Sequence, residues 1–245
     1  MVLKSYLYNF LSFIRCLTLY RLYNFLLINF SYILSVITKR YYLWGKPWSV
    51  SVEPTTFCNL KCVECPSGQN SLKRQNGSIS IELYEKILKQ IESHTFYLNM
   101  YFQGEPFLHH DFLKMVKIAK EKNIYVSTST NGHFLTDKIA KETVLSGLNR
   151  LIVSLDGINQ QTYEQYRKGG NFNRIIQGIN SLVSAKKQLN KRNPYIILQF
   201  IVFSTNENQV DEVKKLGKKL GVDEVQIKTA QINDNQNINS LLPIE

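Results

Sequence analysis

The chain is poor in cysteine, and its first segment has no acidic residue at all. Four cysteines in 245 residues are too few for the disulfide framework of a secreted domain. Residues 1–47 contain no Asp or Glu, although Arg15, Arg21, Lys39 and Arg40 are there. The same segment has no small-residue cleavage site, which excludes a secretory signal peptide. Its longest uncharged run, between Arg21 and Lys39, is slightly shorter than the ~20 residues of a spanning helix. That run also carries Asn24, Asn29, Ser31 and Ser35, so a transmembrane helix is not expected. No internal repeat is visible, and there is no second cysteine pair to match the first.

The rest of the composition is that of an ordinary globular protein. Apolar residues make up 44% and charged residues 20%. The length allows one large domain or two small ones with a substantial core. Net charge is +11, but the lysines are spread through helical patterns such as "KMVKIAKEK" and "EVKKLGKKL". That reads as a solvated surface, and nucleic acid is not the expected partner. Clustered cysteines in a chain without a cleavable signal point to a reducing compartment, hence the cytoplasm. Residues 1–47, rich in Leu, Ile, Phe and Tyr, form one or two helices. These either dock on the main domain or lie at a membrane surface, with Arg15, Arg21, Lys39 and Arg40 near lipid phosphates. Cys16, alone in this segment, reads as inert core.

From Trp48 strands and helices alternate. Strands are expected at 48–53, 96–102, 124–129, 150–155, 195–203 and 224–228. Helices are expected at about 80–93, 111–122, 136–146, 172–190 and 207–220. Ser80 and Asp111 precede helices as start signals, and Gly147 and Gly221 follow helices as C-terminal caps. Six such units predict an α/β fold: a partial (βα)6 TIM-like barrel of parallel strands over residues 48–232. The apolar helical segment 1–47 precedes it and a polar tail, 233–245, follows. Period-2 alternation puts Asn99, Tyr101, Gln103 and Glu105 on one face, with Ser127, Ser129 and Asn131, and Ser154 with Asp156. Leu98, Met100, Phe102, Val126, Val153 and Leu155 fall on the other. A polar face inside a layered fold predicts a polar cavity; an antiparallel sheet with a wet face is the alternative.

Cys58, Cys62 and Cys65 occur within eight residues, spaced Cys-x3-Cys-x2-Cys, just past the first strand. Zinc fits this poorly. Structural zinc sites take four ligands, usually as two pairs, and the four histidines, His94, His109, His110 and His133, supply no second pair of the usual spacing. A [4Fe–4S] cluster fits better, with three thiolates on three irons and the fourth iron left for a ligand that is not protein. Pro66 and Gly68 shape the loop.

In this position "EPTTFCNLKCVECP" resembles the radical S-adenosylmethionine superfamily, and within it the branch of peptide and sulfatase maturases that often carry a C-terminal SPASM domain. The likeness covers residues 48 to about 230. It implies a [4Fe–4S] cluster on Cys58, Cys62 and Cys65 that binds S-adenosylmethionine and cleaves it reductively. The resulting 5′-deoxyadenosyl radical abstracts a substrate hydrogen. It also implies an electron donor such as flavodoxin or ferredoxin and a substrate that could be a peptide. Gln103-Gly104-Glu105-Pro106 is similar to the family's Gly-Gly-Glu-Pro, which contacts the methionyl amino group, with Gln103 replacing the first glycine. Thr130-Asn131-Gly132 and Ser154-Leu155-Asp156-Gly157 resemble the motifs after the third and fourth strands. They imply cofactor roles for Asn131 and Ser154, and for Asp156 a cofactor contact or a brace for the site. Arg167 in "YEQYRKGG" resembles a recurring arginine that reaches the cofactor carboxylate or the substrate. Ser204-Thr205-Asn206 could reach ribose, although Asn206 reads more simply as a helix N-cap, and Lys228 and Gln231 lie where adenine could sit. All these candidates follow C-terminal ends of expected strands, the active face of βα barrels.

Two departures bear on function. Glu64 stands where many members have an aromatic residue, and no later cysteine is present for auxiliary clusters. The chain is then either a piece of a longer protein or a minimal radical enzyme. Competing readings are a radical enzyme acting on RNA or a cofactor precursor, and a non-catalytic metal-binding module for nucleic acid.

Overall fold

The computed structural model describes residues 2–230 and 242–243. Six parallel strands form one sheet in sequential order: β1 (Ser49–Ser51), β2 (Tyr97–Asn99), β3 (Tyr125–Thr130), β4 (Arg150–Ser154), β5 (Tyr195–Val202) and β6 (Glu224–Thr229). Each pairs with the next, from Ser49 opposite Tyr97 to Val202 opposite Thr229. Between them run α3 (Ile81–Ile91), α4 (Phe112–Glu121), α5 (Asp137–Leu145), the short α6 (Gln160–Tyr166), α7 (Phe172–Gln188) and α8 (Val210–Leu220). Two helices, α1 (Val2–Ile14) and α2 (Leu19–Thr38), precede the sheet. The expected α/β architecture is present, with β1 and β6 as the edge strands among the described residues. The antiparallel alternative is excluded because every strand pair is parallel.

Local chemistry explains most of the boundaries. Ser80 and Thr136 accept from the N–H three residues on and cap α3 and α5. Gly147 and Gly221 take φ values of +80° and +76° after α5 and α8, as C-terminal caps require. Asp111 precedes α4 but its side chain makes no cap bond; it pairs with His110 instead. The helix α6 was not expected from the sequence. Asn159 caps it through Thr162 N–H, and Gly157 lies so close beneath it that a Cβ would come within 2.4 Å of Tyr163 N.

The main core lies between sheet and helices. Leu98, Met100, Val126, Val153, Leu155, Leu198 and Phe200 are buried there against α3–α8, as the alternation predicts. Phe102 departs from it. The strand β2 ends at Asn99, the chain turns, and Phe102 is 68% exposed. On the other face, Ile152, Tyr195 and Ile197 pack with Tyr101.

The N-terminal segment forms two helices, docked at the N-terminal ends of the strands. Phe13 of α1 packs edge-on against Phe96, Tyr97 and Tyr125. Asn9 Oδ1 accepts from the Tyr125 hydroxyl, and Ser5 donates to Asp223. Arg21 is not available to lipid phosphates. It is buried, and its guanidinium donates to four carbonyls: Cys16, Glu92, Lys122 and Asn123, at 2.6–2.9 Å. Glu92 and Lys122 are the C-terminal caps of α3 and α4, so one cation meets two negative helix ends. Cys16 is buried among these aromatics, as inert core should be.

Candidate active site

The cysteine loop leaves β1 and is held by two other segments. Lys61 N–H donates to Lys168 O and Val63 N–H to Tyr166 O, at 3.0 and 3.2 Å, so the end of α6 fixes one side. Gly68 brings the returning chain against Cys62, where a Cβ would sit 2.6 Å from the Cys62 nitrogen. Cys58, Cys62 and Cys65 then line one cavity of about 230 Å³. Gln103, Gly104, Glu105, Ser129, Asn131, Ser154 and Arg167 line it too, so the polar-cavity expectation is met at the strand ends.

The β2 end is clamped from beneath. Glu53 Oε1 accepts from the N–H groups of Gln103 and Gly104, at 2.9 and 3.3 Å, and Glu53 is itself paired with Arg74. Only glycine fits at 104, since a Cβ would lie 2.0 Å from Thr55 O. Gln103 turns its side chain toward the loop, with Oε1 3.8 Å from Cys65 Sγ. Glu105 is buried. Its Oε1 accepts from the Thr130 hydroxyl and from Phe107 N–H, and its Oε2 from Asn131 N–H, at 2.7–3.1 Å. Burial pushes its carboxyl up to about 7, against the pull of those hydrogen bonds. Asn131 in turn donates to Asn59 at 2.7 Å and lies 3.9 Å from Cys58 Sγ. The turn at Gly132, φ +80°, makes this possible.

Opposite, Ser154 ends β4 facing the cavity. Asp156 does not line it. Its Oδ2 accepts from Arg167 Nε at 2.6 Å and its Oδ1 from Ile201 N–H at 2.8 Å. It is a buried brace that aims Arg167. Burial opposes the Arg167 charge, but Asp156 and the nearby Cys62 hold the guanidinium above its usual range. Asn206 stands at the N-cap position of a 3-10 turn, Glu207–Gln209, as expected, but its side chain makes no cap bond. It is fully buried and ties β4 to β5, donating to Asp156 O and Ile201 O and accepting from Phe203 N–H. Ser204, Thr205 and Lys228 do not line the cavity, and Gln231 lies outside the described residues.

The donor set suits a cluster. Burial pushes the Cys62 thiol up to about 11 and raises Cys58 as well, and a bound metal would supply the positive charge that favours their thiolates. Among the described residues no three His, Cys, Asp or Glu converge closely enough to hold a single ion. Three thiols around one cavity match three irons of a cube, and no fourth cysteine or histidine lines that cavity. Sequence reasoning missed Glu53, Asn59 and the α6 clamp. Glu53 had a signal, being an acid at the C-terminal end of a strand like the others; the α6 contacts come from the backbone and had none.

Comparison with known proteins agrees with this geometry. The family model described as "Radical SAM superfamily" matches residues 52–198. "Mycofactocin maturase MftC" of Mycolicibacterium smegmatis is 30% identical over 176 residues, 71% of this chain and 43% of that protein. The "tungsten-containing aldehyde ferredoxin oxidoreductase cofactor-modifying protein" of Pyrococcus furiosus is 29% identical over 178 residues, 70% of this chain and 48% of that one. The chain thus spans less than half the length of these two relatives. SuiB of Streptococcus suis, solved with S-adenosylmethionine bound, shares the fold with a TM-score of 0.65 at 14% identity, over 84% of this chain and 45% of that one. With three thiols on one loop, polar groups from successive strand ends around them and a family match over most of the barrel, the chain belongs to the radical S-adenosylmethionine superfamily.

Proposed function

We propose that the chain is the catalytic barrel of a radical S-adenosylmethionine enzyme that modifies a peptide or a related natural product. The observation that carries this is the single cavity shared by Cys58, Cys62, Cys65 and the polar ends of β2, β3 and β4. The superfamily uses a [4Fe–4S] cluster and S-adenosylmethionine. When bound, the pair supplies one-electron cleavage to a 5′-deoxyadenosyl radical, which removes hydrogen from an unactivated carbon.

The roles assigned to this chain's residues belong to the same proposal. Cys58, Cys62 and Cys65 hold the cluster. Gln103, Gly104 and Glu105 receive the amino group of the cofactor. Glu105 spends three acceptor positions on protein donors, and a carboxylate has about four, so one remains for an ammonium. Arg167, aimed by Asp156, receives a carboxylate. Ser154 and Asn131 supply hydrogen bonds on either side. Tyr166, tilted against Phe203 with ring centroids 4.2 Å apart, helps keep water from the cavity.

Peptide substrates are supported by the maturase names among the relatives and by SuiB, solved with its precursor peptide SuiA. A cofactor precursor is the second reading, supported by the nearly equal likeness to the P. furiosus cofactor-modifying protein. The reading includes a small electron-transfer protein as donor. It also divides the chain into residues 1–47, a barrel over 48–232 and a tail over 233–245, and places it in the cytoplasm with membrane association through residues 1–47. The test is anaerobic reconstitution with iron and sulfide, followed by spectroscopy and an assay for 5′-deoxyadenosine. Wild-type protein yields a [4Fe–4S] signal and 5′-deoxyadenosine, and Cys62→Ala yields neither. Iron binding without cleavage of S-adenosylmethionine would refute the proposal.

A further inference from the structure

Both N-terminal helices face the wrong way for helices packed on a soluble domain. In α1, Ser5, Asn9 and Ser12 are turned toward the barrel, while Tyr6, Leu7, Phe10, Leu11 and Ile14 are exposed. In α2 the buried residues are Arg21, Asn24 and Ser31, all polar, while Leu22, Leu26, Phe30, Ile33 and Ile37 are exposed. Phe13 and Phe25 do reach the barrel, but they are flanked by this inverted pattern. A helix on a globular domain normally turns its apolar stripe inward. Two helices with the stripe outward leave apolar faces that need a partner.

Charge identifies that partner. Arg15 just after α1, Lys39 and Arg40 just after α2, and Lys46 beyond them are exposed, and no acid occurs in residues 1–47. Beside α1, a separate cavity of about 380 Å³ is lined by Ser5 and Tyr8 and by Lys187, Lys191 and Arg192. Arg192 lies over the Tyr8 ring at 5.0 Å, and Lys186, the one lysine there with an ion-pair partner among the described residues, is taken by Asp223. Apolar faces edged by cations, with a cationic cavity alongside, complement a bilayer of anionic lipid. We propose that α1, α2 and residues 39–47 dock the chain on such a bilayer, with the apolar faces at the headgroup–acyl boundary and the Lys187–Lys191–Arg192 cavity holding a lipid phosphate.

These helices lie in the surface and do not span. Arg21, Asn24 and Phe25 are committed to protein partners, so free helix begins at Leu26. From Leu26 to Thr38 it runs about 20 Å at the usual rise, against the ~30 Å of a hydrocarbon core. The chain then folds back along α2, through Ser35 to Tyr42 and Asn24 to Lys46, so both ends stay on one side. Because α1 covers the N-terminal ends of the strands and the cysteine cavity opens at their C-terminal ends, the active site faces away from the bilayer. This inference rests on the localisation half of the reading above and not on the chemistry at the cysteines.

The test is co-sedimentation of the full chain with phosphatidylcholine vesicles and with vesicles containing about one-third phosphatidylglycerol. Wild type binds the anionic vesicles and prefers them. The combined variant Leu7→Gln, Phe10→Gln, Phe30→Gln, Ile33→Gln keeps its far-ultraviolet spectrum and binds more than about tenfold less. Lys39→Glu with Arg40→Glu loses the preference for anionic lipid. Replacing all three cluster cysteines by alanine leaves vesicle binding unchanged, so failure of docking and failure of the radical chemistry are read separately. A wild-type chain that ignores both vesicles, binds them equally, or instead forms a dimer that the glutamine variant dissociates would overturn the proposal.

Discussion

Both carboxylate oxygens of Glu105 accept from the end of β3, which makes one side chain the joint between two strands. That joint titrates. Burial holds the Glu105 carboxyl at about 7 in the folded chain, well above its value in an unfolded one. The folded state therefore binds this proton more tightly. The stability it contributes is complete below the unfolded value and is lost as pH rises through 7. Urea midpoints of the cofactor-free protein should fall between about pH 5 and pH 8, and Glu105→Gln should remove that slope. Gly104 and Asp156 show why site residues could be located from sequence more readily than their duties. A glycine beside an acid at a strand end was legible. That its hydrogen faces Thr55 O, and that Asp156 serves Arg167 and Ile201 instead of the cavity, depends on chain paths that no local pattern records.

At the scale of elements, Arg21 joins α2 to the ends of α3 and α4. Four carbonyls lose their donor in Arg21→Met, and lysine cannot replace the planar fork. The expected loss is roughly 2–4 kcal/mol, seen as a lower urea midpoint and faster proteolysis in residues 15–48. The six strands were legible because each is a short run of β-branched or aromatic residues between helical periods, and their order follows from the crossover rule. Two expectations failed, each for its own reason. Phe102 was placed by continuing the period of β2 past Asn99, where the strand stops. Asn206 was read as a cap, and its side chain instead closes the space between β4 and β5. The helix α6, seven residues with few apolar positions, offered almost no periodic signal.

Taken as a whole, the molecule separates its metal chemistry from its stability. None of the three clustered cysteines belongs to the main core, which lies between the sheet and its helices. Chelation of iron from the loaded protein should therefore abolish activity while leaving the far-ultraviolet spectrum and the unfolding midpoint nearly unchanged, unlike a zinc finger, whose fold is lost with its metal. Circular dichroism before and after chelation measures this directly. The inverted N-terminal helices were the least legible feature. Their composition is apolar whichever face is buried, and partners far along the chain, Tyr125 and Asp223 for α1 and the carbonyls of Glu92 and Lys122 for α2, decide which side turns inward.

Those partners also set a delay. The carbonyls of Glu92 and Lys122 follow Arg21 by 71 and 101 residues. At ordinary translation rates a newly made helix pair waits on the order of 5–20 s for them. Throughout that interval a buried cation has no carbonyls of α3 and α4 to bind and two apolar helices have no barrel beneath them. Whatever first meets this segment, bilayer or chaperone, meets it during synthesis, before the cysteine loop has a sheet to rest on.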